Sequence, residues 1–293
     1  MPTIAYVILH YLDAELTKKC VDSILKTYSI SERKIIIVDN GSNNGSGESL
    51  KETYFSQENI EVIIAKNNQG FARGNNIGYV IARAQGADFI IMCNNDLIFE
   101  QKDFEGRIMQ HYSKSGGYIA APDIKDVNGN HLSPIYCTPL TYWEVYRKIR
   151  FKEVSLTLLK LSQKVSAFSY ITNYAEKYKN MDTSKWNRNF YKKKTNIVPC
   201  GACLIFFPRA INDRDYAFNP GTFMYCEEYI LSFECNQENQ QIDILDDIYV
   251  LHIGEGSTNK LLKDSFDKHL FKLSNSIVSL KLLLNMMRHC KVK

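Results

Sequence analysis

Short apolar runs separated by amphipathic stretches fill the first hundred residues. Ile4–Leu9, Lys34–Val38 and Phe89–Cys93 are runs of strand formers, too short for helices. Their lack of polar alternation predicts strands covered on both faces, as in a parallel sheet. Ile60–Ala65 reads as a further strand. Between the runs, Ala14–Thr27 places Leu16, Cys20, Ile24 and Leu25 on one helical face. Helices are also expected over roughly Glu48–Phe55, from the Asn67–Asn76 segment through about Ala84, and over about Lys102–Ser113. This strand–helix alternation predicts an α/β fold with a mostly parallel sheet and helices on both faces.

Further along, Gly116–Pro122 and Ile242–Leu251 read as strands, and Val127–Leu132 as a hairpin turn. Val198–Phe207 reads as a core strand interrupted at Gly201-Ala202. Cys226–Leu231 opens a helix running to about Asn236. From Lys260 a helical tail carries Leu270, Leu273, Ile277, Leu280, Leu283, Leu284 and Met287 at helical spacing. Between about 141 and 196 the composition shifts: Lys and Arg outnumber Asp and Glu, aromatics such as Trp143, Tyr146, Phe151 and Trp186 interleave, and Lys192-Lys193-Lys194 closes the segment. That pattern fits an interfacial, lipid-facing or acceptor-gripping segment, and equally a helical insertion with a solvated basic face.

The 293 residues allow one large domain or two intimately packed ones. A net charge of +4 is mild and does not point to a nucleic-acid partner. No apolar run reaches bilayer length, and Met1-Pro2-Thr3 leads straight into a strand-like run, so no secretory leader is expected. The eight cysteines are scattered, several inside apolar runs, which suits a reducing cytoplasm. Cys200-Gly201-Ala202-Cys203 is a lone CxxC with no second pair, a weak signal for zinc.

Candidate chemistry collects at strand ends. Open α/β sheets bind ligands beyond the C-terminal ends of their strands. There Lys34–Val38 delivers Asp39, and Phe89–Cys93 delivers Asn94-Asn95-Asp96. Asp96 is a candidate ligand for a hard divalent cation, although an Asx turn gives the same residues. Asp39, with Gly41 and Ser42 beside it, is placed to accept from a ribose hydroxyl or a base N–H. The Asn68–Asn76 loop offers backbone N–H groups at a helix start, with Arg73, for phosphate oxygens. Glu227-Glu228 opens a later helix and is available as a general base, while His252 ends a strand and supplies an imidazole. Such a set suits displacement at a carbon bearing a nucleoside diphosphate.

With these pieces in order, the sequence resembles the family 2 glycosyltransferases of the GT-A fold, particularly their rhamnosyltransferase-like bacterial branch. The resemblance covers about residues 3–135 and 198–258. Val38-Asp39-Asn40-Gly41-Ser42 looks like the VDNxS nucleotide loop, and Asn68-Gln69-Gly70-Phe71-Ala72-Arg73-Gly74-Asn75-Asn76 is similar to NxGFAxGNN. Asn94-Asn95-Asp96 stands at the DXD or NND motif, Gly201-Ala202 at the acceptor-side strand, and Glu227-Glu228 at the acidic pair. Val250-Leu251-His252, with Gly254 and Ser257, looks like VxHxxGxS.

The resemblance implies a GT-A (Rossmann-like, nucleotide-diphospho-sugar transferase) fold. Its nucleotide-sugar-binding half would span 1–115 and its acceptor-binding half 116–259, including the basic aromatic insertion at about 141–196, with a helical tail at 260–293. It implies an inverting, metal-dependent transferase that moves a sugar from a UDP- or dTDP-sugar to a glycan or lipid-linked acceptor, using Mn²⁺ or Mg²⁺. Asp39, with Asn40 and Ser42, would contact the nucleoside. Asn68, Gly70, Phe71, Arg73, Asn75 and Asn76 would contact ribose and diphosphate, with Asn95 in the metal motif. Asp96 and His252 would hold the ion, and Glu228 would be the base, with Glu227 in reserve. The implied setting is bacterial surface polysaccharide synthesis, such as O-antigen or capsule, in the cytoplasm with peripheral contact to the inner membrane face. His10-Tyr11-Leu12 departs from the family's Asn-Tyr-Asn, Asn94 from the first Asp of DXD, and Ile230 from an Asp often found there. A non-catalytic nucleotide-sugar-binding scaffold and a nucleotidyltransferase are the competing readings. The latter normally has a glycine- and arginine-rich triphosphate loop, which residues 9–16 do not offer.

Overall fold

The computed structural model describes residues 1–165, 197–254 and 265–290. The second part of the basic aromatic insertion, with Lys192–Lys194, and Ser257 of the terminal motif lie outside the described residues.

The apolar runs become strands β1 (Thr3–His10), β2 (Glu32–Asp39), β3 (Ile60–Ile64) and β4 (Phe89–Asn94). They pair in parallel, with Val7 opposite Ile36 and Met92 in register. Helices α1 (Ala14–Leu25), α2 (Ser46–Thr53) and α3 (Gly70–Ala84) connect them. Asp13 caps α1, its carboxylate accepting from the Leu16 N–H at 3.2 Å. After β4 follow β5 (Leu97–Ile98), α4 (Phe104–Ser115), β6 (Ile119–Asp126) and α5 (Tyr142–Val165). The chain then forms β7 (Cys203–Phe206), α6 (Pro208–Asp213), α7 (Glu227–Gln237), β8 (Ile242–His252) and α8 (Ser265–Cys290).

The eight strands form one sheet in the order β3-β2-β1-β4-β7-β6-β8-β5. Antiparallel β7 separates the parallel half from the β6–β8 pair, so the sheet is mixed. The strand expected over Val198–Phe207 contracts to Cys203–Phe206, because the chain turns at Gly201-Ala202 and Val198 keeps only an isolated bridge to Tyr136. The turn at 127–132 likewise closes through a single bridge between Lys125 and His131.

Alternate side chains of the parallel strands feed two cores. Ile4, Tyr6 and Ile8 pack with α1, α2 and α4 on one face. Ala5 and Val7 pack with α3, α6 and α7 on the other. A third cluster joins Val145 and Ile149 of α5 to Ile230 of α7 and Leu280, Leu283 and Met287 of α8. Helices α5 and α8 thus form an outer layer against the α7 side. Beneath the other face, the fully buried Glu105 accepts from Arg33 at 2.7 Å, Ser31 at 2.8 Å and Tyr6 at 3.1 Å. This pins β1, β2 and α4 together.

Candidate active site

A cleft of about 480 Å³ opens beyond the C-terminal ends of β1, β2 and β4. One wall carries Asp96 and His252. They meet because β5 pairs with the end of β8, placing Leu97 opposite His252, and the Ile253 N–H donates to the Asp96 carbonyl at 3.0 Å. His252 Nε2 lies 3.4 Å from Asp96 Oδ2. Asp96 is 3% exposed and its Oδ1 has no hydrogen-bond partner among the described residues. Burial pushes its carboxyl up from the ordinary value, and the facing His252 pulls it back.

That orphaned oxygen beside an imidazole fits a divalent cation that prefers oxygen and nitrogen donors. Among the described residues no three His, Cys, Asp or Glu side chains group around one point. Asp96 and His252 would therefore give such an ion two ligands, leaving its other positions to a bound substrate and water, as Mg²⁺ sites usually do.

The start of α7 also lines the cleft. Tyr225 and Cys226 both adopt left-handed backbone, with φ of 73° and 69°. For side chains with a Cβ this conformation costs about 1–3 kcal/mol per residue. The double kink turns the first helical turn, with Glu227 and Glu228, onto the cleft. Glu228 is half-buried, and its Oε2 lies 3.7 Å from where a Cβ on Gly201 would stand. The turn at Gly201-Ala202 thus leaves room beside the carboxyl. A helix N-terminus favours ionised carboxylates, but burial wins here. It pushes Glu227 up to about 8, with the neighbouring Glu228 adding to the effect, and Glu228 up to about 7. Glu227 is 2% exposed and its Oε1 has no partner among the described residues.

The nucleotide-loop residues divide. Asn40, Asn68 and Phe71 line the cleft, as does Asn95, whose amide donates to Thr17 at 3.0 Å. Asp39 does not. It is fully buried, its Oδ1 accepting from the Ser42 backbone N–H at 3.1 Å and from the Ser42 hydroxyl. Its Oδ2 presses on Gly47, where a Cβ would come within 2.1 Å. Burial raises the Asp39 carboxyl, and the Ser42 bonds oppose that.

The N–H groups opening α3 are also engaged within the chain, contrary to the expectation of a free phosphate cradle. Gln69 donates to Asn40 at 2.9 Å, Gly70 to the Asn68 side chain at 2.8 Å and Phe71 to the Phe223 carbonyl at 2.6 Å. A helix start buried under a neighbouring loop must satisfy its donors internally. Arg73 turns to the Pro220 carbonyl at 2.8 Å, Asn75 to the Phe71 carbonyl at 2.9 Å, and Asn76 pairs with the Phe218 backbone at 2.7 and 3.0 Å. This motif therefore clamps the 218–226 loop in place. Gly70, at φ 78°, is what lets Phe223 approach, since a Cβ there would stand 2.2 Å from its carbonyl oxygen.

His10 is a satisfied core histidine, its ring nitrogens 2.7 Å from Thr17 Oγ1 and 2.9 Å from Ser46 Oγ. Sequence reasoning missed Tyr11, Lys152 of α5, and Lys272 and Ser276 of α8, all on the cleft wall. Only the packing of α5 and α8 against α7 brings the last three there.

Comparison with known proteins bears on this arrangement. The model of "Glycosyl transferase family 2" matches residues 6–216. Glycosyltransferase AglE of Haloferax volcanii is 31% identical over 88 residues, spanning 30% of this chain and 28% of AglE. The crystal structure of S. aureus TarS 1-349 superposes with a TM-score of 0.55 at 12% identity, over 93% of this chain and 63% of that one. TarS 1-349 in complex with UDP-GlcNAc gives 0.54 at 14% identity, over 88% and 60%. The chain thus spans less than two thirds of the length of these relatives. At such identities the structural likeness establishes the GT-A fold alone.

Proposed function

The chain belongs to glycosyl transferase family 2, and from that premise we propose that its cleft moves a sugar from a UDP- or dTDP-sugar to an acceptor hydroxyl with inversion. The observation that carries this reading is that Glu228 and the Asp96–His252 pair line one cleft. A carboxyl that ionises near 7 suits a general base at neutral pH. Glu228 takes the proton of the acceptor hydroxyl as its oxygen bonds to the anomeric carbon. The bond from that carbon to the diphosphate oxygen breaks, and the nucleoside diphosphate leaves with the electron pair. Glu227, buried behind, holds the site's charge down by staying protonated. When bound, Mn²⁺ or Mg²⁺ on Asp96 and His252 would supply Lewis-acid stabilisation of the diphosphate. Asn40, Asn68 and Phe71 line the donor side, and Asp39 with Ser42 would fix the loop beneath. TarS in complex with UDP-GlcNAc favours uracil as the base.

In this reading 1–115 form the donor half, 116–259 the acceptor half and 260–293 an outer helix. We place the acceptor among glycan or lipid-linked saccharides of surface polysaccharide synthesis, within a rhamnosyltransferase-like branch. No helix among the described residues is long and apolar enough to cross a membrane. Peripheral contact at a cytoplasmic membrane face is supported by α5, where Trp143, Phe151, Val154, Leu158 and Leu161 are exposed among basic residues.

The test is release of UDP from UDP-GlcNAc with water as acceptor. Glu228→Gln is expected to lower the rate about 10²–10⁴-fold while UDP binds unchanged. An undiminished rate would contradict the assignment.

A further inference from the structure

The acceptor end of the cleft carries positive charge that the chemistry above does not use. Lys152, on α5, lines the cleft half-buried, and no described residue pairs with its ammonium. The Cys226 thiol, before α7, and the Lys148 ammonium, one turn earlier on α5, both act on that charge. Lys152 therefore stands beside the kink before α7, where α5 packs against Cys226. Lys148 is itself engaged, donating to the Tyr136 hydroxyl at 2.7 Å. From α8, Lys272 reaches the same wall, its ammonium 5.9 Å from the centre of the Tyr225 ring.

Placing an ammonium in a low-dielectric wall without a counter-charge is costly. Burial accordingly lowers the Lys152 pKa from its ordinary value. The carboxyls that open α7 on the same cleft add little counter-charge, because Glu227 and Glu228 are pushed up to about 8 and 7 and are largely or half protonated at neutral pH. The acceptor end is thus a net cationic recess between α5, α7 and α8.

We propose that Lys152 and Lys272 form an anion subsite that receives a phosphoryl group of the acceptor, placing a neighbouring hydroxyl at Glu228. This rests on the transferase reading. It restricts the acceptor to a phosphate-bearing glycan or lipid-linked saccharide, in which the anion supplies a counter-charge to Lys152. A monodentate ammonium is a suitable point-charge partner for phosphate.

The same chemistry could come from the donor's own diphosphate, so the test fills that position first. Protein loaded with UDP and Mg²⁺ is titrated with glycerol 3-phosphate, and with glycerol as the neutral control, following amide chemical shifts. Saturable binding of the phosphoester but not of glycerol is expected. Lys152→Met should weaken it at least tenfold and Lys152→Arg restore most of it, with the UDP dissociation constant within twofold of wild type. Lys272→Met, on the other helix, should weaken it several-fold and serves if Lys152→Met folds poorly. Three outcomes overturn the proposal: no phosphoester binding to the UDP-loaded protein, binding indifferent to both substitutions, or a tenfold loss of UDP affinity in Lys152→Met. The last would assign the lysine to the donor. Should UDP itself not bind the wild type, the transferase reading fails separately, and the same titration of the free protein still decides the anion subsite.

Discussion

Replacing Glu227 by Gln should stabilise the protein at high pH and leave it nearly unchanged at low pH. Glu227 is 2% exposed, and its carboxyl ionises near 8 instead of at its ordinary 4.5. Between those values the folded protein holds a proton that the unfolded chain has released. Stability therefore falls as pH rises through that window and levels off above it. At about 1.36 kcal/mol per pH unit, the full window amounts to roughly 5 kcal/mol. Part of the shift comes from Glu228, so roughly 3–5 kcal/mol is the working range. Gln is isosteric and never ionises, so it removes this loss. Urea unfolding of wild type and Glu227→Gln at pH 5, 7 and 9 isolates the effect, because titrations of groups other than the Glu227–Glu228 pair cancel in the difference. The variant should match wild type within about 1 kcal/mol at pH 5 and exceed it by roughly 3–5 kcal/mol at pH 9. A difference that does not change with pH, or a variant less stable at pH 9, would refute the buried, protonated carboxyl.

Other expectations follow from the same geometry. UDP release from UDP-GlcNAc should rise about tenfold per pH unit below about 7 and flatten above it, and Glu228→Gln should abolish that limb. Gly70→Ala forces a Cβ to within 2.2 Å of the Phe223 carbonyl at φ 78°; urea unfolding should show a loss of at least about 2 kcal/mol, and faster proteolysis should appear within residues 218–226. Glu105→Ala leaves the Arg33 guanidinium, 7% exposed, without its partner. It should cost about 3–5 kcal/mol without changing UDP affinity, because the pair lies away from the cleft.

The parallel half of the fold was legible because β1, β2 and β4 are continuous apolar runs, and a strand buried on both faces leaves that trace. Asp96 was legible for the same reason, as the first carboxylate after such a run. Its partner was harder. His252 reaches Asp96 only because the two-residue β5 pairs with β8, and so short a strand has no periodicity. The Asn68–Asn76 segment shows a different limit. Its residues could be found by resemblance, yet Arg73, Asn76 and the Phe71 N–H proved to face Pro220, Phe218 and Phe223, while Asn68 stays on the cleft. Composition does not reveal which way an Asn points. Lys152 was hidden more completely. Helix α5 is packed on one side and exposes apolar residues on the other, so no stripe marks the buried face, and its lysines looked alike. The double kink at Tyr225-Cys226 contains no glycine to announce it; tertiary packing holds it.

The central claim is that the cleft between Asp96–His252 and Glu228 takes a nucleoside diphosphate with a divalent cation. Thermal unfolding in the presence of UDP, with and without Mn²⁺, tests it most directly, on wild type and Asp96→Ala. At a hundred times its dissociation constant UDP should add about 2.7 kcal/mol to the folded state. The account predicts that this gain depends on Mn²⁺ in the wild type and that the metal-dependent part vanishes in Asp96→Ala. Absence of any gain with either Mn²⁺ or Mg²⁺, or an equal gain in Asp96→Ala, would contradict it.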